Sequence, residues 1–192
     1  MKRGKGRSSG SPAAQGRVPA GVAWGLLAAW AVHDAEELMT MAGWTRRARP
    51  RLERQLPWVP WERLDVSQRH VTTAIGLMGG VMAGAAAMGA RTGGRSATFQ
   101  AVLAGFGWHG AGHLVQAAVT RGYTPGAVTA PVVVIPYALW AWRRLRAAEV
   151  PAASGRSSAT ALVAFPLVLA GVHGLAHVLT RRATVSDGPS GP

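Results

Sequence analysis

Cysteine is absent from the 192 residues, which excludes disulfides, zinc ribbons and thiol catalysis. Charge is scarce as well: Asp, Glu, Lys and Arg make up 15% of the chain and fall mostly in short blocks. No internal repeat is visible, which argues mildly against a transporter built from two halves. Hydrophobic residues reach only 48%, an ordinary share for a soluble protein, but they are clustered rather than spread. The length suits one compact domain rather than two.

The charge that is present is lopsided, with 21 Lys and Arg against 8 Asp and Glu and a net charge of +13. Such an excess first suggests nucleic acid. The positions argue otherwise. Arg17, Arg46, Arg47, Arg69, Arg91, Arg121, Arg143, Arg144, Arg181 and Arg182 stand at the ends of apolar stretches. Cations mark in this way where helices leave a bilayer among lipid headgroups. The partner they imply is the lipid bilayer, and no motif or single basic face implies nucleic acid.

Residues 1–19 hold Lys2, Arg3, Lys5, Arg7 and Arg17 among Gly, Ser and Pro, a composition of a disordered tail. Residues 183–192 read as a second one. The domain between them, 20–182, contains apolar stretches at about 20–44, 70–90, 96–120, 124–142 and 158–180. Each is near the roughly 20 helical residues that a bilayer core of about 30 Å requires. The fold class is therefore all-α: a polytopic membrane helix bundle of about five transmembrane helices, placed in the cell membrane as a multi-pass protein. Gly76, Gly80 and Gly84 form overlapping GxxxG steps that favour close helix approach. Pro131 and Pro136 predict a kink in the fourth stretch. The segment 46–69, with its arginines beside Trp58 and Trp61, reads as lying on the membrane surface. The first stretch also has the look of a signal peptide, with Ala29-Trp30-Ala31 as a cleavage site, but its apolar pattern continues past that point. Orientation is a tie, with 11 Lys and Arg on one side of five spans and 10 on the other.

Ionisable residues inside a bilayer are costly, roughly 2.5–3.5 kcal/mol for an Asp, Lys or Arg at a helix centre on insertion scales. The first stretch nevertheless holds His33, Asp34, Glu36 and Glu37, the third His109 and His113, and the fifth His173 and His177. His33, Glu36 and Glu37 stand at i, i+3 and i+4 and share one helix face. The two later pairs are each i, i+4, the spacing at which one helix offers two imidazoles to one ion. Glu37 precedes Arg46 by nine residues, and His113 and His173 precede Arg121 and Arg181 by eight. Counted at 1.5 Å per residue, all three lie roughly 12 Å inside the same membrane face. His33 and His109 sit one turn deeper and His177 one turn shallower. His70 opens the second stretch at the same rim. Asp34 points away from Glu36 and Glu37 and receives no role.

No Lys or Arg within the spans neutralises the two glutamates. Buried charges are paired or coordinate metals. The candidate ligands are therefore His33, Glu36, Glu37, His109, His113, His173 and His177, gathered round a divalent metal. Histidine and carboxylate suit Zn, Fe or Mn, with Zn or Fe preferred here. Glu36 or Glu37 is then the general base of a metal-dependent hydrolase, or both help hold a di-metal oxidase centre, acting on a lipid or membrane-protein substrate. The alternatives are a transporter or proton-relay protein using the same residues, and a structural membrane subunit without catalysis.

The motifs His33-Asp34-Ala35-Glu36-Glu37, His109-Gly110-Ala111-Gly112-His113, Tyr123-Thr124-Pro125-Gly126 and His173-Gly174-Leu175-Ala176-His177 occur in this order. Together they resemble the HXXEE family of small bacterial integral membrane proteins. That resemblance implies a multi-span membrane protein and no settled activity. The glutamate and histidine motifs are also similar in outline to those of intramembrane proteases that process prenylated proteins. They depart from those proteases: no arginine follows the glutamate pair at the same spacing, and Phe106 to His109 is one residue short. The Tyr-Thr-Pro-Gly segment has the chemistry of a tight turn, Pro presetting one dihedral and Gly permitting the next. It lies on the face of the cluster.

Overall fold

The computed structural model describes residues 16–60, 67–152 and 155–186, the last segment with side chains over 164–181. Among the described residues there are five α-helices: α1 (Ala20–Gln55), α2 (Gln68–Thr92), α3 (Ala97–Val119), α4 (Ile135–Ala147) and α5 (Gly155–Ser186). No strand occurs among the described residues.

The helix starts follow local chemistry. Ser67 caps α2 by accepting from the His70 amide at 3.2 Å, and Ser96 caps α3 by accepting from the Phe99 amide at 3.3 Å. A serine oxygen thereby satisfies an amide that has no partner within the first turn. α2 ends on Gly93 in the left-handed region.

Three expectations require correction. The surface segment expected from Arg46 onward is helical as far as Gln55, so α1 runs for 36 residues. Pro50 lies within it and leaves one carbonyl without its helical donor. The burial of Ala48 and Leu52 holds the helix together past that point. The rest of the segment, 61–66, lies outside the described residues. Second, the fourth stretch is not one α-helix from residue 124. A turn leads into a π-helical segment, Ala130–Val134, in which the Ile135 amide donates to the Ala130 carbonyl, and α4 follows. Pro131 and Pro136 each remove a backbone donor, and the ring of Pro136 crowds the carbonyl four residues earlier, so the turn widens. Third, Gly76, Gly80 and Gly84 show no close helix contact among the described residues, where a Cβ at each would meet nothing within 4 Å. Close approach occurs instead at Gly89 against Phe99 and at Gly105 against Phe165.

The end of the expected basic tail is packed. The Gly16 amide donates to the Ala148 carbonyl at 2.7 Å, the Val18 amide donates to the Gly93 carbonyl at 2.9 Å, and Val18 is buried. Residues 1–15 lie outside the described residues. α5 reaches Ser186, into the second expected tail, whose last residues, 187–192, also lie outside them.

α1 packs most extensively on α2, and α5 lies against α2 and α3. The apolar core gathers Leu26, Met82, Phe99, Leu103, Phe106, Val134 and Leu145. Among the described residues, two helices are long and apolar enough to cross a membrane: α2, and α5 over Ala164–Arg181. The others fall short for evident reasons. α1 carries Asp34, Glu36 and Glu37 in mid-length, Gly, Gln and His dilute α3, and α4 has 13 residues.

Candidate metal centre

Four side chains converge where α1 meets α3. His33 and Glu37 come from one face of α1, and His109 and His113 from one face of α3. One ligand atom from each lies within 4.8 Å of all the others. His113 Nε2 stands 2.9 Å from His109 Nε2, 3.2 Å from His33 Nε2 and 3.2 Å from Glu37 Oε1. His33 Nε2 is 3.9 Å from the same Glu37 oxygen. His33, Glu37 and His113 are buried.

Hydrogen bonds alone do not account for this arrangement. An imidazole nitrogen has one proton or one lone pair, never both. His113 Nε2 has three polar neighbours at hydrogen-bond distance and can satisfy one of them. The remaining lone pairs face each other across the gap. Ligand atoms around a tetrahedral ion with bonds of 2.0–2.1 Å lie about 3.3 Å apart, close to the three separations measured from His113 Nε2, whereas the 3.9 Å between His33 and Glu37 is wider. Three nitrogens and one carboxylate oxygen suit Zn, Fe or Mn.

The shell behind His33 fixes its tautomer. Thr129 Oγ1 donates to Glu36 Oε2 at 2.6 Å, and a carboxylate only accepts. The hydroxyl has no second proton, so in its 2.7 Å contact with His33 Nδ1 it accepts. The proton of His33 is therefore on Nδ1, and Nε2 turns a bare lone pair to the cluster. Ligating histidines are oriented by a hydrogen bond from the other ring nitrogen in just this manner.

Glu36 thus stands behind the cluster, not within it. Its oxygens accept from Thr129 Oγ1, from the Thr129 amide at 2.8 Å, from the Tyr123 hydroxyl at 2.8 Å and from the Val128 amide at 3.4 Å. The turn that supplies these donors is clasped to α1 a second time, where Trp44 Nε1 donates to the Tyr123 carbonyl at 2.6 Å. Gly126 closes it with φ +82°, in the left-handed region. A Cβ there would lie 2.6 Å from His113 Cε1 and 2.8 Å from His33 Cε1. Only glycine lets this backbone rest on the two rings. His113 Nδ1 is buried and has no well-aligned acceptor, with the Pro125 carbonyl the group nearest to serving it.

The other candidates lie elsewhere. His173 Nδ1 is 3.0 Å from His70 Nε2, and the ring of His177 is 6.4 Å from that of His70, centroid to centroid. The single seven-residue cluster is thus divided: four residues converge, Glu36 supports them, and His173 and His177 group with His70. One pocket is lined by members of both groups, Glu37 and His109 of the first and His173 of the second. Its wall is mostly apolar, including Trp30, Met82 and Phe165, and its polar residues are Asp34, Glu37, His109 and His173. Asp34 is buried there, on the same pocket as Glu37 rather than pointing clear of it.

The sequence profile of a family described as "Protein of unknown function with HXXEE motif" matches residues 24–141, more than half of the chain. The chain belongs to the HXXEE family. The matched region contains the HXXEE motif itself, both α3 histidines, Thr129 and the turn through Gly126. The α5 histidines lie beyond it. No curated protein and no solved structure matches the chain. Thr129 is the residue that sequence reasoning missed: it is a hydroxyl in a turn, with no spacing to single it out.

Proposed function

We propose that this HXXEE protein is a membrane-embedded, metal-dependent hydrolase, with His33, His109 and His113 holding one divalent ion and Glu37 standing between that ion and the pocket. The observation that carries the reading is the convergence of three imidazole Nε2 atoms and a carboxylate oxygen whose lone pairs no hydrogen-bond pattern satisfies. A Zn or Fe ion held there supplies Lewis acidity toward a carbonyl in the pocket. Glu37 lines that pocket and is placed to take a proton from water as water adds to the carbonyl. Glu36, Thr129 and Tyr123 orient His33 and the turn.

The multi-pass membrane placement is supported by the surface. The apolar stretch of α5 has only 6% of its residues buried and that of α2 33%, where a soluble core helix of this hydropathy would be mostly buried. Met39, Trp108, Val115, Val132, Leu139 and Leu167 are all more than half exposed. Exposed apolar surface on this scale marks a lipid or protein interface. The apolar pocket wall favours a membrane-dissolved substrate, a lipid or a segment of a membrane protein.

Elemental analysis of the detergent-purified chain, loaded in turn with Zn, Fe and Mn, tests the metal. Wild type should retain an ion that His113→Ala loses. Glu37→Gln should keep the ion and lose metal-dependent hydrolysis of bilayer lipids or membrane-protein segments; loss of the ion instead makes Glu37 a ligand. A folded protein that stays metal-free after every loading overturns the proposal. It leaves a proton relay, readable as substrate-dependent flux in vesicles, or a structural cluster.

A further inference from the structure

The two histidine groups share one plan. On α3, a pair at i, i+4 meets one histidine of α1. On α5, the pair His173 and His177 meets one histidine of α2, His70. The rings of His70 and His173 lie 17° from parallel, with centroids 5.3 Å apart. Their facing nitrogens, Nε2 and Nδ1, are 3.0 Å apart. One shared proton can make that contact a hydrogen bond. The same separation also fits two ligands on one ion, since bonds of 2.0–2.1 Å meeting at 90° to 109° put the nitrogens about 2.9–3.3 Å apart.

From this juxtaposition we infer a second divalent-metal site formed by His70, His173 and His177 beside the pocket that Glu37 and His109 also line. Its position differs from that of the buried cluster in two respects. His70 and His173 are half-buried and His177 is exposed, one turn nearer the Arg181 end of α5. Among the described residues no carboxylate lies within salt-bridge distance of the three, so the described donor set is three imidazoles. Imidazole donors suit Zn, Ni and Cu, whereas Mn favours oxygen ligands. The backbone of His70 is held in the first turn of α2 by the Ser67 cap. His177, one turn from His173 on the same helix, completes the set by rotating its side chain. His173 also lines the pocket with Glu37 and His109, so an ion held here lies on the same pocket as the buried one.

The test is a Ni²⁺ titration of the full chain in detergent, prepared without an added histidine tag and read by calorimetry, with circular dichroism as the fold control. Wild type should take up two ions with different affinities. His70→Ala and His173→Gln should each take up one and keep the tighter class. His113→Ala should keep the weaker class. In a parallel Mn²⁺ titration only the buried site should fill. If His70→Ala and His173→Gln match wild type in stoichiometry, the second site does not exist. A single wild-type ion that disappears in His113→Ala also overturns it, while leaving the buried centre intact.

Discussion

Thr129→Val exchanges a hydroxyl for a methyl group of nearly the same size and so isolates the shell behind His33. Two contacts disappear, the 2.6 Å donation to Glu36 Oε2 and the 2.7 Å acceptance from His33 Nδ1. Glu36 loses little, because the Thr129 amide still donates to the same oxygen and Tyr123 to the other. His33, with no exposed surface, loses the only described partner of its Nδ1 proton. A buried donor left unsatisfied costs about 1–3 kcal/mol. The neutral ring avoids this by moving its proton to Nε2, but a protonated Nε2 cannot ligate. Binding an ion therefore restores the unsatisfied Nδ1–H, and the penalty falls on the metal-bound state. Loss of such a second partner lowers metal affinity about 10–100-fold, or roughly 1.4–2.8 kcal/mol. The two magnitudes agree. Competition against a chelator of known affinity measures the loss, and Thr129→Ser should restore most of it. If Thr129→Val binds as tightly as wild type while His33→Ala does not bind, the tautomer argument is wrong.

His113→Ala should remove the buried ion nearly completely, whereas His70→Ala should leave it in place, as metal analysis of both variants checks. Gly126→Ala should destabilise the fold by about 1–3 kcal/mol through its left-handed φ alone, with an added cost from the contacts on His113 and His33, read as a lower denaturation midpoint. Metal binding at the buried centre should weaken as pH falls, because protons compete for the same lone pairs; equilibrium dialysis from about pH 8 down to about pH 3 measures it. Burial raises the Tyr123 phenol above its ordinary 10.0, and the neighbouring Glu36 and Glu37 carboxylates add to the shift. The stability that the protonated phenol contributes is thus present below about pH 10 and lost as pH rises beyond it. Tyr123→Phe should flatten that alkaline limb in urea titrations, with a loss at neutral pH of at most about 1.5 kcal/mol.

What the sequence made legible was whatever depends on spacing along one helix. His109 with His113 and His33 with Glu37 share faces because i and i+4 must. The choice between Glu36 and Glu37 was not legible. Adjacent residues differ by 100° around the helix, so what stands opposite each decides, and here the turn takes Glu36 and the pocket takes Glu37. The depth count gathered His173 with Glu37 and His113, whereas His173 stands against His70. Distance to the nearest arginine fixes a position along the bundle axis and says nothing about which neighbour a helix turns toward, and α5 turns His173 to α2. Arg46–Gln55 read as part of a surface segment apart from the first span because its charges and Pro50 carry no apolar period, yet buried Ala48 and Leu52 and the Arg49–Glu53 pair continue α1 through it. Thr129 left no trace, since its hydroxyl acquires a role only when the turn meets His33 and Glu36 of α1.

The unbroken α1 has a mechanical consequence. At 1.5 Å per residue its 36 residues make a rod about 54 Å long, well beyond the roughly 30 Å of a bilayer core. His33 and Glu37 lie near its middle, and Arg46, Arg47, Arg51 and Arg54 lie toward its far end. Ligand layer and arginine end therefore share one torsional shaft, at least as far as Pro50, so a load that twists the arginines also twists His33 and Glu37 relative to α3. Phase, not length, becomes the quantity to vary. One residue inserted after Trp44 turns the arginine face by about 100°, while four turn it by about 400° and nearly restore it. If the arginine end communicates with the centre, metal affinity measured on anionic vesicles should follow that angular period, with the one-residue insertion differing from wild type and the four-residue insertion resembling it.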